Sequence, residues 1–409
     1  MLESLFTAFI QQKTMSQTSK SLGRTVNLTT YSPDYATARQ RFIAAAAQLG
    51  FTLLTYPIAE RGPHGELLTV DVAIYDDAAA GRDTALILSS GIHGVEGYFG
   101  SALQLSLLAH WLLHPEQLPT QRIVLIHALN PYGFAWRRRA NEDNVDLNRN
   151  LILPHEQFHG SPPLYAALDQ LLNPPCAPQA RDGFPAQLAP FGIQYGINEL
   201  TDAITCGQYD FPNGLYYGGS QPSALSHLLS DHLKTWLGNA QQIIHLDVHT
   251  GLGTWARYKL LFDHPITDAR YAQMQQYFGA DVLEAREEMS GSIWSGGLGH
   301  FCRMLVGERD YVCAVAEFGT YTSLKVLGGM RTENQSYVWL KGDDLQTRTQ
   351  IERSKQRLVE LFCPSSTRWR QQTLRRGLQL ISQALKALQS QPDSGETEKT
   401  SQPSRGSSH

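Results

Sequence analysis

The sequence predicts an α/β fold, a mixed and mostly parallel sheet flanked by helices. Short apolar runs of strand length alternate with longer segments of helical period, the pattern left when helices cover the faces of a sheet. The chemically informative residues fall at or just after the ends of those runs, and open α/β sheets build their sites outside the carboxyl ends of the strands. Strands are expected at 51–57, 68–75, 84–89, 122–128, 242–248, 258–263 and 312–317. Each is a short apolar run, as in Leu86-Ile87-Leu88 and Ile243-Ile244. Helices are expected at 32–50, 94–113, 223–238, 266–278 and 347–361, which are longer and of helical period. A last helix at 367–389 carries Leu374, Leu378, Ile381, Ala384, Leu385 and Leu388 on one face, which should pack on the domain. Between these elements, 174–219 is rich in Pro, Gly and aromatic residues. It is expected to be an irregular insertion that either lines the site or runs over the surface without touching it.

At 409 residues the chain can bury a substantial core. The expected organisation is a flexible N-terminal extension (1–25), one catalytic domain that includes the last helix (26–389), and a disordered tail (390–409) too poor in apolar residues to offset the entropy of ordering. A formal net charge of −4, with no broad basic excess, argues against nucleic acid or a membrane surface as the main partner. Five cysteines, at 176, 206, 302, 313 and 363, are scattered, lack zinc-thiolate spacing and fit a reducing compartment. The apolar patch 5–10 is too short for a signal core and follows Glu3, so a cytoplasmic location is expected. Oligomeric state is not legible in the sequence.

The run Ser90-Gly91-Ile92-His93-Gly94-Val95-Glu96-Gly97 puts an imidazole and a carboxylate three positions apart, bracketed by glycines that let the backbone turn sharply at a strand end. Such a pair can grip one metal ion from a single turn. A third candidate ligand, His249, ends the run from Ile243, and a separate carboxylate, Glu317, ends the run from Val312. Zinc takes imidazole nitrogens and carboxylate oxygens, and a catalytic zinc keeps three protein ligands with one position open. Two histidines and one glutamate leave the ion positive enough to activate water and polarise a carbonyl, and a second, non-ligating carboxylate must then handle the water's proton. Glu317 is the candidate for that base. His245 shares a strand face with Asp247 and His249 and reads as a satisfied neighbour, not a ligand.

A second block runs Asn130-Pro131-Tyr132-Gly133, then Arg137-Arg138-Arg139, then Asp146-Leu147-Asn148-Arg149. With these residues the chain resembles the zinc carboxypeptidase (carboxypeptidase A) superfamily: His-x-x-Glu, Asn-Pro-x-Gly, an arginine, Asp-x-Asn-Arg, a later His and a late Glu occur in the family's order across roughly 84–320. The spacing of the arginine to Asp146, and Asp247-Val248-His249-Thr250-Gly251, look more like the aspartoacylase and succinylglutamate desuccinylase group and a poorly characterised bacterial branch beside it. The resemblance implies a zinc carboxypeptidase-like fold with one Zn2+ per chain held by His93, Glu96 and His249, and Glu317 as general base. It implies that Asn148 and Arg149 hold a substrate carboxylate. One arginine of 137–139, with Arg138 the choice, would polarise the scissile carbonyl, and Asp146 would orient a ligand histidine. The arginines not so used read as a solvated charge run. A tyrosine closing over the substrate could be Tyr311 or Tyr321, with no motif to select either.

The expected activity is zinc-dependent hydrolysis of an amide next to a free carboxylate, by a metallocarboxypeptidase-type peptidase acting on a small peptide. The alternatives are a deacylase of N-acyl amino acids and a catalytically silent metal-binding protein of the same fold.

Overall fold

The structure is a computed structural model that describes residues 22–23, 26–76, 83–179, 182–284 and 296–389. The N-terminal extension and C-terminal tail expected from the sequence lie, apart from Leu22 and Gly23, outside the described residues.

Eight strands form one sheet: β1 (Thr52–Arg61), β2 (Leu67–Tyr75), β3 (Thr84–Ser90), β4 (Arg122–His127), β5 (Gln242–Thr250), β6 (Tyr258–Leu261), β7 (Leu283–Glu284) and β8 (Asp310–Phe318). The helices are α1 (Tyr35–Gln48), α2 (Gly97–Leu113), α3 (Pro131–Trp136), α4 (Pro163–Leu172), α5 (Phe184–Tyr195), α6 (Ile197–Thr205), α7 (Ala224–Leu237), α8 (Asp268–Phe278), α9 (Leu298–Val306), α10 (Ser323–Trp339), α11 (Leu345–Phe362) and α12 (Thr367–Gln389). The strand order is β1-β2-β4-β3-β5-β8-β6-β7. The centre, β4-β3-β5-β8, is parallel, while β1 and β2 add antiparallel on one side and β6 on the other. The sheet is therefore mixed and mostly parallel, as the sequence predicts.

Burial explains why the central strands read as continuous apolar runs, since a parallel sheet is covered on both faces. On one face, Phe42 of α1, Phe99 and Leu103 of α2, and Trp369 and Ile381 of α12 cover Leu86, Leu88, Leu246 and Val312. On the other, Leu229, Leu233 and Trp236 of α7 and Leu298 and Phe301 of α9 cover Ile87, Val124 and Ile243. The edge strand β1 alternates in exposure, as a strand with one solvated face should. No helix among the described residues is long and apolar enough to cross a membrane, and all five cysteines are free.

The structure differs from the sequence reading in several elements. Helix α10 was not anticipated because its buried side chains include Arg331, Glu333, Asn334, Gln335 and Ser336, which hide the apolar period. The insertion expected to be irregular contains α5 and α6, which with α4 bury a small core of their own: Tyr165, Leu168, Leu172, Phe184, Leu188, Leu200 and Ile204. Helix α9 was also missed, and β7 is a two-residue strand too brief to leave a pattern.

Candidate metal centre

Three side chains converge beyond the carboxyl ends of β3 and β5. After Ser90 the chain turns through Gly91, at φ +66°, and enters a short 3-10 turn over Gly94–Glu96. That turn is docked by its backbone: Gly94 N–H donates to Arg139 O (3.1 Å) and Val95 N–H to Arg138 O (2.8 Å). A Cβ at Gly94 would lie 2.1 Å from the Gly133 carbonyl carbon, so the close approach demands glycine. His93 and Glu96 are thereby turned inward, both buried. His93 Nδ1 lies 2.9 Å from Glu96 Oε1, and His249 Nδ1, from the end of β5, lies 3.2 Å from Glu96 Oε2. One donor atom from each of His93, Glu96 and His249 falls within 4.8 Å of the others, which fits two imidazole nitrogens and a carboxylate oxygen around one ion.

The remaining ring nitrogens each lie beside a carboxylate, and His93 Nε2 also meets the Arg139 guanidinium at 2.7 Å. His249 Nε2 is 2.5 Å from Asp247 Oδ2, and His93 Nε2 is 3.2 Å from Asp146 Oδ1. A histidine that binds a metal through Nδ1 carries its proton on Nε2, where a carboxylate can accept it. Asp146 is itself held by the turn it caps, accepting from Asn148 N–H at 3.1 Å. Asp247 was not singled out as a site residue from the sequence, although its two-residue offset from His249 on one strand face was a usable signal.

Glu317 ends β8 in register with His249 on β5, so base candidate and ligand are lateral neighbours on one sheet face. Its Oε1 accepts from Leu252 N–H at 2.8 Å. Burial and then the charge of Glu96 push Glu317 up to about 8. Burial also opposes ionisation of Glu96, but His93 and His249 outweigh it and hold Glu96 down at about 2. His249 is shifted the other way: burial disfavours its charge, and Asp247 and Glu96 together raise it well above its ordinary value. The two carboxyls at this rim thus differ sharply in proton affinity.

The arginine triplet resolves into three different environments. Arg137, in the left-handed region at φ +56°, sends its guanidinium to Glu352 (2.7 and 2.6 Å). Arg138, the sequence choice for the carbonyl-polarising arginine, points instead into the interior. It donates to Glu333 (2.9 Å) and Asn144 (2.8 Å) and lies under the Tyr337 ring at 3.2 Å. Arg139 faces the metal centre: it pairs with Asp146, lies 2.7 Å from His93 Nε2, and stacks under Tyr216 at 4.7 Å. The turn after α3 rotates consecutive side chains apart, and three identical residues gave the sequence no means to choose among them.

Asn148 and Arg149, expected to hold a substrate carboxylate, are employed by the protein. Asn148 Oδ1 accepts from Leu298 N–H at 3.0 Å. Arg149 donates to Thr205 O (2.6 and 3.0 Å) and to Asn148 O (2.6 Å), and is 1% exposed. The insertion roofs it, with Gly207 against the Arg149 side chain and Tyr209 donating to Arg149 O at 2.8 Å. Asn130 caps α3 by accepting from Gly133 N–H at 2.7 Å. Of the two tyrosines considered for closure, Tyr311 directs its hydroxyl to His245 inside the sheet layer, and Tyr321 donates to Glu360 at 2.6 Å. The insertion's Tyr216, at φ +57°, is the tyrosine beside Arg139, and no motif marked it.

Fold and site together define an α/β protein with a His-Glu-His constellation at its strand ends. The chain belongs to the family described as "Protein of unknown function (DUF2817)", which matches residues 31–376. No curated protein matches the chain in sequence. Among solved structures it is similar to carboxypeptidase A from Helicoverpa armigera, at 12% identity and TM-score 0.43 over 95% of this chain and 80% of that one. It is also similar to bovine thrombin-activatable fibrinolysis inhibitor in complex with tick carboxypeptidase inhibitor, at 10% identity and TM-score 0.42, covering 87% of this chain and 99% of that one. Murein-tripeptide amidase MpaA from Escherichia coli O157 matches at 16% identity and TM-score 0.34, covering 74% of this chain and 91% of that one.

Proposed function

We propose that the chain is a metal-dependent amide hydrolase, with zinc the ion its ligands suit. The observation that carries this reading is the convergence of His93 Nδ1, Glu96 and His249 Nδ1 beside Glu317, a half-buried carboxyl in register with His249 and outside the ligand group. A bare structural role would not require a base carboxyl kept apart from the ligands at the same rim. When bound there, a divalent ion polarises water and the substrate carbonyl, and its charge draws Glu317 down from its raised pKa toward the ionised form. Glu317, fixed through Oε1 by Leu252, accepts the proton of the attacking water and delivers it to the nitrogen of the departing amine. Arg139, whose guanidinium lies against His93, is the arginine of the triplet we assign to the oxygen that becomes negative when the carbonyl is attacked. Asp146 and Asp247 hold the two imidazoles by their far nitrogens.

A peptidase that reads a terminal carboxylate through Asn148 and Arg149 fits this site less well than a deacylase of a small N-acyl amino acid. The specific observation is that Thr205, Gly207 and Tyr209 cover Arg149, which leaves its guanidinium donating to Thr205 O and Asn148 O. That cover supports a small acyl amino acid over a peptide, which needs an open groove.

The test combines metal content with turnover. Purified protein should hold about one zinc per chain and lose it in His93→Ala. Against blocked dipeptides and N-acetyl amino acids, chelator-sensitive hydrolysis should favour the latter. Glu317→Gln should lower kcat by about 10²–10⁴-fold while zinc is retained. A zinc-replete protein that binds no metal would sink the assignment.

A further inference from the structure

A buried polar chain leads away from the metal centre along the sheet face that His249 and Glu317 share. Register creates it. In-register partners on parallel strands lie on one face, and the pairing matches Ser89 with Asp247 and His245 with Cys313, with Tyr311 two residues before Cys313. Ser89 Oγ lies 2.5 Å from Asp247 Oδ1 and 2.7 Å from His245 Nε2, and His245 Nδ1 lies 2.7 Å from the Tyr311 hydroxyl. All four side chains are buried, among Ile87, Ile243 and Phe301. Polar groups in such a layer are costly unless each finds its partner, and here each does.

The direction of every bond follows from counting protons. The Asp247 carboxylate accepts, so Ser89 gives it the single hydroxyl proton. The Ser89 oxygen must then accept from His245, which places a proton on His245 Nε2. Burial pushes His245 down to about 4, so the ring is neutral and its bare Nδ1 accepts from Tyr311. At the other end, Asp247 Oδ2 takes the Nε2 proton of His249, so Nδ1 is the nitrogen turned toward Glu96 and left for an ion. Turn any one of these bonds around and two donors, or two acceptors, face each other somewhere along the chain.

We propose that Ser89, His245 and Tyr311 are positioning residues for the metal centre: they hold Asp247 in one orientation, which fixes His249 in the tautomer that presents Nδ1 to the ion. None of the three touches a ligand atom, and they act through Asp247. The inference rests on the reading of His93, Glu96 and His249 as ligands, and extends it to a site built across three strands. Ser89→Ala leaves His245 Nε2 without its acceptor and Asp247 Oδ1 without its donor, so the effect should reach His249 although the substitution is remote from the ion.

The experiment uses the full chain, with zinc as the probe. Zinc affinity is measured by chelator competition for the parent, Ser89→Ala, Ser89→Thr and Ser106→Ala. The last removes a buried hydroxyl that bonds Thr30 and Ala102, away from the chain, and controls for lost stability. Ser89→Ala should weaken zinc binding by about tenfold or more, and Ser89→Thr, which keeps the hydroxyl, should restore most of it. Ser106→Ala should lower Tm without moving zinc affinity. The imidazole tautomer of His245 in the metal-free protein, read from two-bond ¹H–¹⁵N correlations, should be the one protonated on Nε2. Zinc affinity of Ser89→Ala within about twofold of the parent, with Tm lowered, would make the chain merely structural and overturn the proposal. So would His245 protonated on Nδ1. Failure of the parent to bind zinc would instead overturn the ligand reading, and the His245 tautomer of the metal-free protein would still decide this one.

Discussion

Proton affinity at His249 couples metal binding to pH. Burial disfavours the imidazolium, but Asp247 and Glu96 raise its pKa well above the ordinary value in the metal-free site. Below that raised pKa, an ion binding at Nδ1 must displace a proton. Zinc affinity should therefore rise with pH through the neutral range, by about tenfold per unit while one proton is released per ion. Calorimetry in buffers of different ionisation enthalpy measures that release, and an affinity flat between acidic and neutral pH would contradict the assignment. Adjacent arginines divide the labour. Arg138→Gln removes the charge opposite Glu333, which is 4% exposed, and should cost about 3–5 kcal/mol of stability by leaving a buried carboxylate unpaired. Arg139→Gln likewise strips a buried carboxylate, Asp146, of its guanidinium and should lower stability too, but it should in addition depress kcat by about 10²-fold, as loss of one oxyanion donor does. Parallel denaturation and kinetics on the two variants would reverse the roles if Arg138, not Arg139, faced substrate.

Elements place these residues through backbone contacts that side-chain patterns do not reveal. The Gly94–Glu96 turn is pinned between the end of β3 and the loop after α3 by amides bonded to Arg138 and Arg139 carbonyls. The same loop thus carries Arg139 and anchors the turn bearing His93 and Glu96. Gly94→Ala would put a methyl 2.1 Å from Gly133 backbone, with no flexible side chain able to yield. The variant should lose about 3 kcal/mol or more of stability and bind zinc substoichiometrically. Normal zinc stoichiometry with unchanged Tm would show that the turn is not held as described. On the neighbouring strands, Ser89, Asp247 and His245 show how a parallel register aligns polar residues from separate segments on one buried face.

For the whole molecule, two unlike layers sandwich the sheet. The face under α1, α2 and α12 holds the larger apolar cluster, and Trp369 anchors it, fully buried, edge-on to Phe99 at 5.4 Å and donating to Gly319 O at 2.9 Å. Gly319 follows the end of β8, so this packing also steadies the strand that carries Glu317. Trp369→Ala should cost about 3–5 kcal/mol, and thermal melts with and without zinc would register it. An unchanged melt would mean that α12 is dispensable. The opposite face admits the polar stripe that serves the site, which is why its strands mix Ile87 and Ile243 with Ser89, Asp247 and His245.

The sequence by itself determined the sheet, most of its helices and the convergence of His93, Glu96, His249 and Glu317, because parallel strands buried on both faces leave apolar runs and functional residues punctuate their ends. It also marked Asp146 and the arginine triplet as belonging together. It did not determine which arginine faces the site, since Arg138 and Arg139 differ only in where the turn after Arg137 points them. Nor did it show that Asn148 and Arg149 are spent on Leu298 and Thr205, contacts between segments far apart in the chain. Helix α10 stayed hidden because its buried face is polar, and its Glu333 is the partner that turns Arg138 inward. Strand identity is a local consequence of residue pattern, whereas side-chain employment depends on partners that only tertiary packing brings within hydrogen-bonding distance.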